Sequence, residues 1–347
     1  MKALVSFTIL LSMMLFLSGC QRAQDVSTPP PATDTPPMPS KLFSTDDGSV
    51  VDLLSISAEY EESASSARLI AELFFGYAGD QMLGRERREL TKTHDTRAEA
   101  LLIGALLSGP SVERSDLVRL FEPGTRLMSL YDQDGILFVS LSREFLDIPA
   151  SLSSRVSAGD SDAISALRTK RRLALLSLIN TVTQMGELDA VQLLISGGAD
   201  DIDGMRVSRS EIFDDADGGS RLVGAMQRDE SVILTHANTL RRAADLWISR
   251  DWPGLYLYVS ADGAPTSEAF SSLMSQLPNA PVAESHSPGI VTEDGTAAVF
   301  RADISWMRDG QVWPWSGTVL LRLERGAWKI PVSTLMRLGG YEYDLPR

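Results

Sequence analysis

Cysteine is almost missing from this chain: Cys20 is the single thiol in 347 residues. No internal disulfide can form, so stability has to come from apolar packing. Histidine is scarce as well. The three present, His94, His236 and His286, are far apart and sit in no recognisable signature. There is no His-x-x-x-His, no Cys-x-x-Cys and no Gly-x-Ser-x-Gly. Positive charge is in deficit, with 32 Lys and Arg against 46 Asp and Glu, a net charge of -14. Such a surface argues against nucleic acid and against broad attraction to anionic lipid. The one long apolar run, Ala3 to Leu17, falls short of the ~20 residues a spanning helix needs.

That run has a specific setting. Met1 and Lys2 precede it, and Ser18 and Gly19 follow, the order of a secretory signal peptide over residues 1–19. Leu17-Ser18-Gly19-Cys20 resembles the bacterial lipobox. The resemblance implies that Cys20 is diacylated and becomes the first mature residue. Two acyl chains anchor stably, at ~0.8 kcal/mol per buried methylene. Thiol catalysis is thereby set aside, since Cys20 is the only candidate. The expected location is the extracytoplasmic face of a cell membrane, held by lipid. Residues 20–50 read as a linker: Pro and Thr dominate 21–40, which cannot bury enough apolar surface to fold. Extended at ~3.1 Å per residue, it would lift a domain roughly 60 Å from the bilayer.

Two folded blocks are expected after it. In the first, 52–197, Leu69, Ala71, Leu73, Phe75 and Tyr77 alternate on one strand face, with a return strand after Ala78-Gly79-Asp80. Thr96 and Glu99 have capping-box spacing before a helix that Gly109-Pro110 ends. Asp132-Gln133-Asp134-Gly135 joins the strands of a hairpin. Apolar residues from Ile164 to Met185 recur at helical spacing, and AVQLLISG reads as a last strand. Residues 198–233 form an acidic connector rich in Gly and Asp. In the second block, 234–347, lie all six tryptophans: Trp247, Trp252, Trp306, Trp313, Trp315 and Trp328. Two amphipathic helices lead there into a meander of long alternating strands, an α+β cone.

Chemistry-bearing candidates are few. His286 with Asp303 or Glu284 is one possible acid–base pair. The acidic stretch Asp214-Asp215-Ala216-Asp217-Gly218 matches only a fragment of a calcium loop and reads as a solvated turn. Arg168, Lys170, Arg171 and Arg172 form a basic cluster near the start of the long helix. It could face phosphate or an acidic partner, or be a solvated face. Cations are misplaced near a helix N-terminus, so compensating acids are expected. The tryptophans could line a pocket or fill a core. No metal or cofactor site is expected.

Within the first block, Ser108-Gly109-Pro110, Glu122-Pro123-Gly124-Thr125, Leu141-Ser142-Arg143-Glu144-Phe145 and LINTVTQMGELDAVQLLISG occur in an order that resembles the GerMN domain. That is the sporulation and spore germination module of spore-forming bacteria, also found in actinobacterial lipoproteins. The resemblance covers about 67–197. Where the family ends its last strand in Gly after an acidic residue, this chain has Ser196-Gly197. It implies a helix–strand–strand–helix–strand unit like those of ring-building proteins, and a module without catalytic residues. The second block is similar to the nuclear-transport-factor-2-like cone, which hosts enzymes and binding domains alike. The resulting expectation is a lipid-anchored, non-catalytic binding or assembly module for sporulation, germination or the cell envelope. Its partners would be a protein, a second copy of itself or peptidoglycan, not nucleic acid. The alternative is an envelope enzyme or small-ligand receptor with its site in the Trp-rich block; a ring or filament subunit is a third reading.

Overall fold

In the computed structural model, residues 66–186, 188–197, 204–214, 221–277, 280–308 and 310–339 are described. Cys20, the signal peptide, the linker, Asp215 to Gly218 and the side chain of Glu284 lie outside the described residues. From Ser66 onward the described residues belong to one compact unit, Leu54–Arg347. Among the described residues no helix is long and apolar enough to cross a membrane.

Strand β1 (Ser66–Tyr77) pairs antiparallel with β2 (Leu83–Thr93) along its whole length. Ala71, Leu73, Phe75 and Tyr77 are buried, as their alternation requires, but Phe74 on the other face is buried too. The second half of β1 is therefore covered on both sides. Helix α1 (Ala98–Ser108) follows. Its N-cap is Arg97, and no side chain caps it. The expected capping box is not formed, because the Thr96 hydroxyl is paired with that of Thr93 at 2.7 Å. Gly109 ends the helix at φ 89°, where a side chain would be strained. The two-residue strand β3 (Leu117–Val118) then joins the far edge of β1.

A second sheet begins with the hairpin of β4 (Leu127–Gln133) and β5 (Ile136–Leu141). Asp134 and Gly135 both have positive φ, 52° and 77°, as a two-residue type I′ turn demands. A short helix, α2 (Ala150–Ser157), precedes the long α3 (Ser161–Val182). Asp160 caps α3, accepting from the amides of Asp162 and Ala163 at 3.0 and 3.1 Å. Strand β6 (Ala190–Ile195) returns parallel to β5, and β7 (Met205–Arg206) closes the order β4-β5-β6-β7. The helix–strand–strand–helix–strand unit is thus α1-β4-β5-α3-β6.

The remainder is helical, then sheet. Helices α4 (His236–Ile248), α5 (Trp252–Tyr256) and α6 (Ser267–Ser275) precede β8 (Ala280–His286), β9 (Ile290–Val291), β10 (Ala297–Arg308), β11 (Gln311–Glu324) and β12 (Ala327–Lys329). Helix α7 (Val332–Leu338) ends the described chain. The sheet runs β12-β11-β10-β8, with β9 also on β10. Ala298, Phe300, Ala302, Ile304 and Trp306 point inward from β10, against the apolar face of α4. The fold is α+β throughout. One continuous apolar core links Phe74 and Leu83 to Leu240, Trp247 and Phe300.

Candidate binding surfaces at the seam between the sheets

The inside of the cone is filled. Trp247 and Trp306 pack with ring centroids 5.5 Å apart, and both are buried. Between them, Leu240, Ile304, Leu335 and Leu338, the open volume is about 20 Å³. Trp328 is also buried, while Trp313 at the far end of the hairpin is 54% exposed. The ring of Trp315 lies over Gly317, where an added Cβ would come within 2.2 Å of it.

The possible acid–base pair of His286 with Asp303 does not form. His286 pairs in register with Ala302, so it shares the inner face of the sheet, and its ring meets Phe300 edge-on at 5.4 Å. Asp303, one residue along, points outward and accepts a hydrogen bond from Ser316. Alternation along the strand puts the two on opposite faces. His236 sits between the rings of Phe300 and Trp328, at 5.5 and 5.6 Å. His94 is exposed beside Asp95. His236 and His286 thus both lie against the Phe300 ring, and His94 stands on the surface just after β2.

The basic cluster on α3 is mostly neutralised from within. Arg168 donates to Asp214 at 2.9 Å and to the Ser210 carbonyl. Lys170 pairs with Glu122. The buried Arg171 pairs with Glu211 and with the Leu146 carbonyl. The compensating acids expected from the helix position are therefore these three. Arg172 is different: it forms no hydrogen bond or ion pair with a described residue and lines a crevice. Asp214, in the acidic stretch, is held low mainly by its bond to Arg168.

Residues singled out by no motif make the most elaborate polar site. Asp80, in the β1–β2 turn, is almost fully buried, its side chain 2% exposed. It accepts from Nε and Nη2 of Arg242 at 2.9 and 2.8 Å and from the Tyr258 hydroxyl at 2.5 Å. Nearby, the Tyr77 hydroxyl donates to the Leu257 carbonyl at 2.8 Å and accepts from Lys329. Burial, with Asp80 adjacent, pushes the Tyr258 phenol far above its ordinary 10.0. Burial does the same to Tyr77 and pulls the Lys329 ammonium below its ordinary 10.5. The bond to Asp80 raises Arg242 further. These five side chains clamp β1 to α4, the loop after α5, and β12. The backbone adds to the clamp, as the Leu234 amide donates to the Leu83 carbonyl at 2.9 Å. Alternation marks Tyr77 as buried but cannot reveal the site, because its partners come from a turn, a helix, a loop and a strand up to 252 residues away.

Open concavities flank this clamp. One, of about 360 Å³, lies between α3 and α4 over the β1–β2 turn, with Arg172, Arg241 and Arg242 on its walls. A second, of about 620 Å³, runs from Tyr77 and Asp80 to Ser165 and Lys170. A third, of about 420 Å³, is bounded by Phe74, Arg85, Arg228, His236 and Trp328. Among the described residues no group of His, Cys, Asp and Glu could hold a metal ion.

Residues 72–201 match the family model Germane, described as sporulation and spore germination. That segment covers most of the first folded block, which carries the motifs that resemble the GerMN domain. No curated protein matches the chain. Among solved structures, a protein from Clostridium perfringens described as a candidate lipoprotein is 20% identical, over 48% of this chain and 90% of that one, at a TM-score of 0.27. The tandem GerMN domains of the sporulation protein GerM from Bacillus subtilis are 14% identical, over 54% of this chain and 51% of theirs, at 0.31. The first of those domains alone is 15% identical, over 46% and 98%, at 0.25.

Proposed function

We propose that this chain, whose residues 72–201 match the Germane model, is a lipid-anchored extracytoplasmic module that works by contact instead of catalysis. That match carries the reading. Its role belongs to sporulation, germination or the cell envelope. The Cys20 lipid holds the protein at the membrane, and the GerMN-type segment engages a protein partner, a second copy or peptidoglycan. Confinement at the bilayer raises the effective concentration for such contacts without a new bond. The closed cone interior, about 20 Å³, is too small to hold a ligand, since a pocket ordinarily needs roughly 300 Å³ or more.

The experiment is fractionation with in-cell crosslinking. Cys20→Ala should leave the membrane fraction while keeping the wild-type melting temperature, and should lose the crosslinked species that the lipidated protein forms. Retention of the variant in membranes overturns the anchor. A lipidated chain that is monomeric by sedimentation at high concentration, forms no crosslinks and does not pellet with peptidoglycan overturns the contact role.

A further inference from the structure

We propose that the crevice between α3 and α4 is a binding site for a phosphate group. Three guanidiniums line it, Arg172 from α3 and Arg241 and Arg242 from α4, against the carboxylates of Asp80 and Asp245. In a chain with a net charge of -14 this is a local reversal of sign.

The arginines differ in how far they are already used. Arg242 commits Nε and Nη2 to Asp80, which fixes its plane and leaves Nη1 without a hydrogen bond to a described residue. Arg241 has one weak contact, 3.4 Å to the Asn238 amide oxygen. It forms no ion pair with Asp245, one helical turn away. Arg172 has neither hydrogen bond nor ion pair among the described residues. Asp214 does not pair with it, being already held by Arg168 and Ser165 at 2.9 and 3.1 Å. Its three neighbours in the basic cluster are each paired with an acid, so Arg172 is the member left facing open space.

Two unspent forks on opposite walls of one crevice suit a tetrahedral oxyanion, because guanidinium binds phosphate by paired, charge-assisted hydrogen bonds. The volume of about 360 Å³ equals that of about a dozen liquid waters at ~30 Å³ each. A phosphate with part of its hydration fits. The Asp80 carboxylate holds Arg242 in place before the ligand arrives, while Arg172 and Arg241 keep donors free for it. The inference does not depend on the lipid anchor, and either could fail alone.

The test is calorimetric titration of the full chain in a neutral detergent at constant ionic strength. The probes are inorganic phosphate, glycerol 1-phosphate and soluble dihexanoyl phosphatidylglycerol, with acetate as the carboxylate control. Saturable binding of the phosphate probes is expected, with little for acetate. Arg172→Gln and Arg241→Gln should each weaken it about tenfold or more, the scale of one lost charge-assisted bond. Arg172→Lys, which keeps the charge and loses the fork, should fall between. Arg301→Gln, on the exposed outer face of β10, should bind as wild type and serves with melting curves to exclude misfolding. Equal affinity for glycerol phosphate and the lipid assigns recognition to the bare phosphate. Tighter lipid binding, about tenfold or more, assigns it to a membrane headgroup. Absence of saturation with every phosphate probe, or binding unchanged in both glutamine variants, overturns the proposal.

Discussion

Replacing Asp80 by Asn preserves the shape of the seam and removes its charge. The carboxylate is 2% exposed, and Arg242 is 34% exposed. In the variant, an amide nitrogen faces groups that are themselves donors, so the Tyr258 hydroxyl or one Arg242 nitrogen loses its acceptor. Breaking a fully buried pair costs about 3–5 kcal/mol. Arg242 can turn partly to water, which lowers the cost to about 2–3 kcal/mol. For a unit of this size about 2 °C is lost per kcal/mol, so the melting temperature should fall by about 5 °C in differential scanning calorimetry. The cycle with Arg242→Gln should show coupling of about 1–2 kcal/mol, because each single change already disrupts the same contact. A shift below about 1 °C, or strictly additive effects, would refute the clamp.

Alkaline unfolding tests the buried phenols. Above pH 10 an unfolded chain releases protons that folded Tyr77 and Tyr258 keep, so stability falls as pH rises, by ~1.4 kcal/mol per pH unit for each phenol. Lys329, held below 10.5, works the other way only up to that value. Denaturation midpoints between pH 10.5 and 11.5 should therefore fall steeply, and Tyr258→Phe should about halve the slope; an unchanged slope contradicts the assignment. Trp306→Ala should cost about 3–5 kcal/mol, while Trp313→Ala, at a 54% exposed position, should stay within ~0.5 kcal/mol. Equal losses in urea melts would show that the cone is not packed as described. Gly289 has φ 86°, and a Cβ there would lie 2.5 Å from the Phe300 ring. Gly289→Ala should cost about 2–4 kcal/mol from backbone strain and overpacking together, and a neutral result would place Phe300 elsewhere.

Local patterns carried much of this fold. The turn at Asp134-Gly135, the helix from Ser161 and the β10–β11 hairpin each announce themselves within a dozen residues, through turn chemistry or periodicity. Helix α2 was invisible because none of its residues is buried, so no apolar stripe marks it. The Thr96–Glu99 spacing misled because Thr93 offered the hydroxyl a competing partner. Pairings distant in sequence leave no local trace. The parallel match of β5 with β6 was one, and the acids that meet Lys170, Arg171 and Arg168, 48, 40 and 46 residues away, were others. Those acids were expected in kind from helix electrostatics but could not be named. The His286–Asp303 pairing failed on parity: strand register decides which face each residue takes, and register is set by the whole sheet.

The bond from Lys329 to Tyr77 spans 252 residues, which has a consequence for synthesis. A ribosome adding about 5–20 residues per second needs roughly 13 to 50 seconds to make that interval. Until then Tyr77, at the end of β1, lacks its partner on β12, and the Asp80 carboxylate waits 162 residues for Arg242. The earliest part of the chain must wait for nearly the last before it locks. A nascent chain in that state offers binding surface to chaperones, and premature termination before Ala327 would leave Tyr77 without its Lys329 partner permanently.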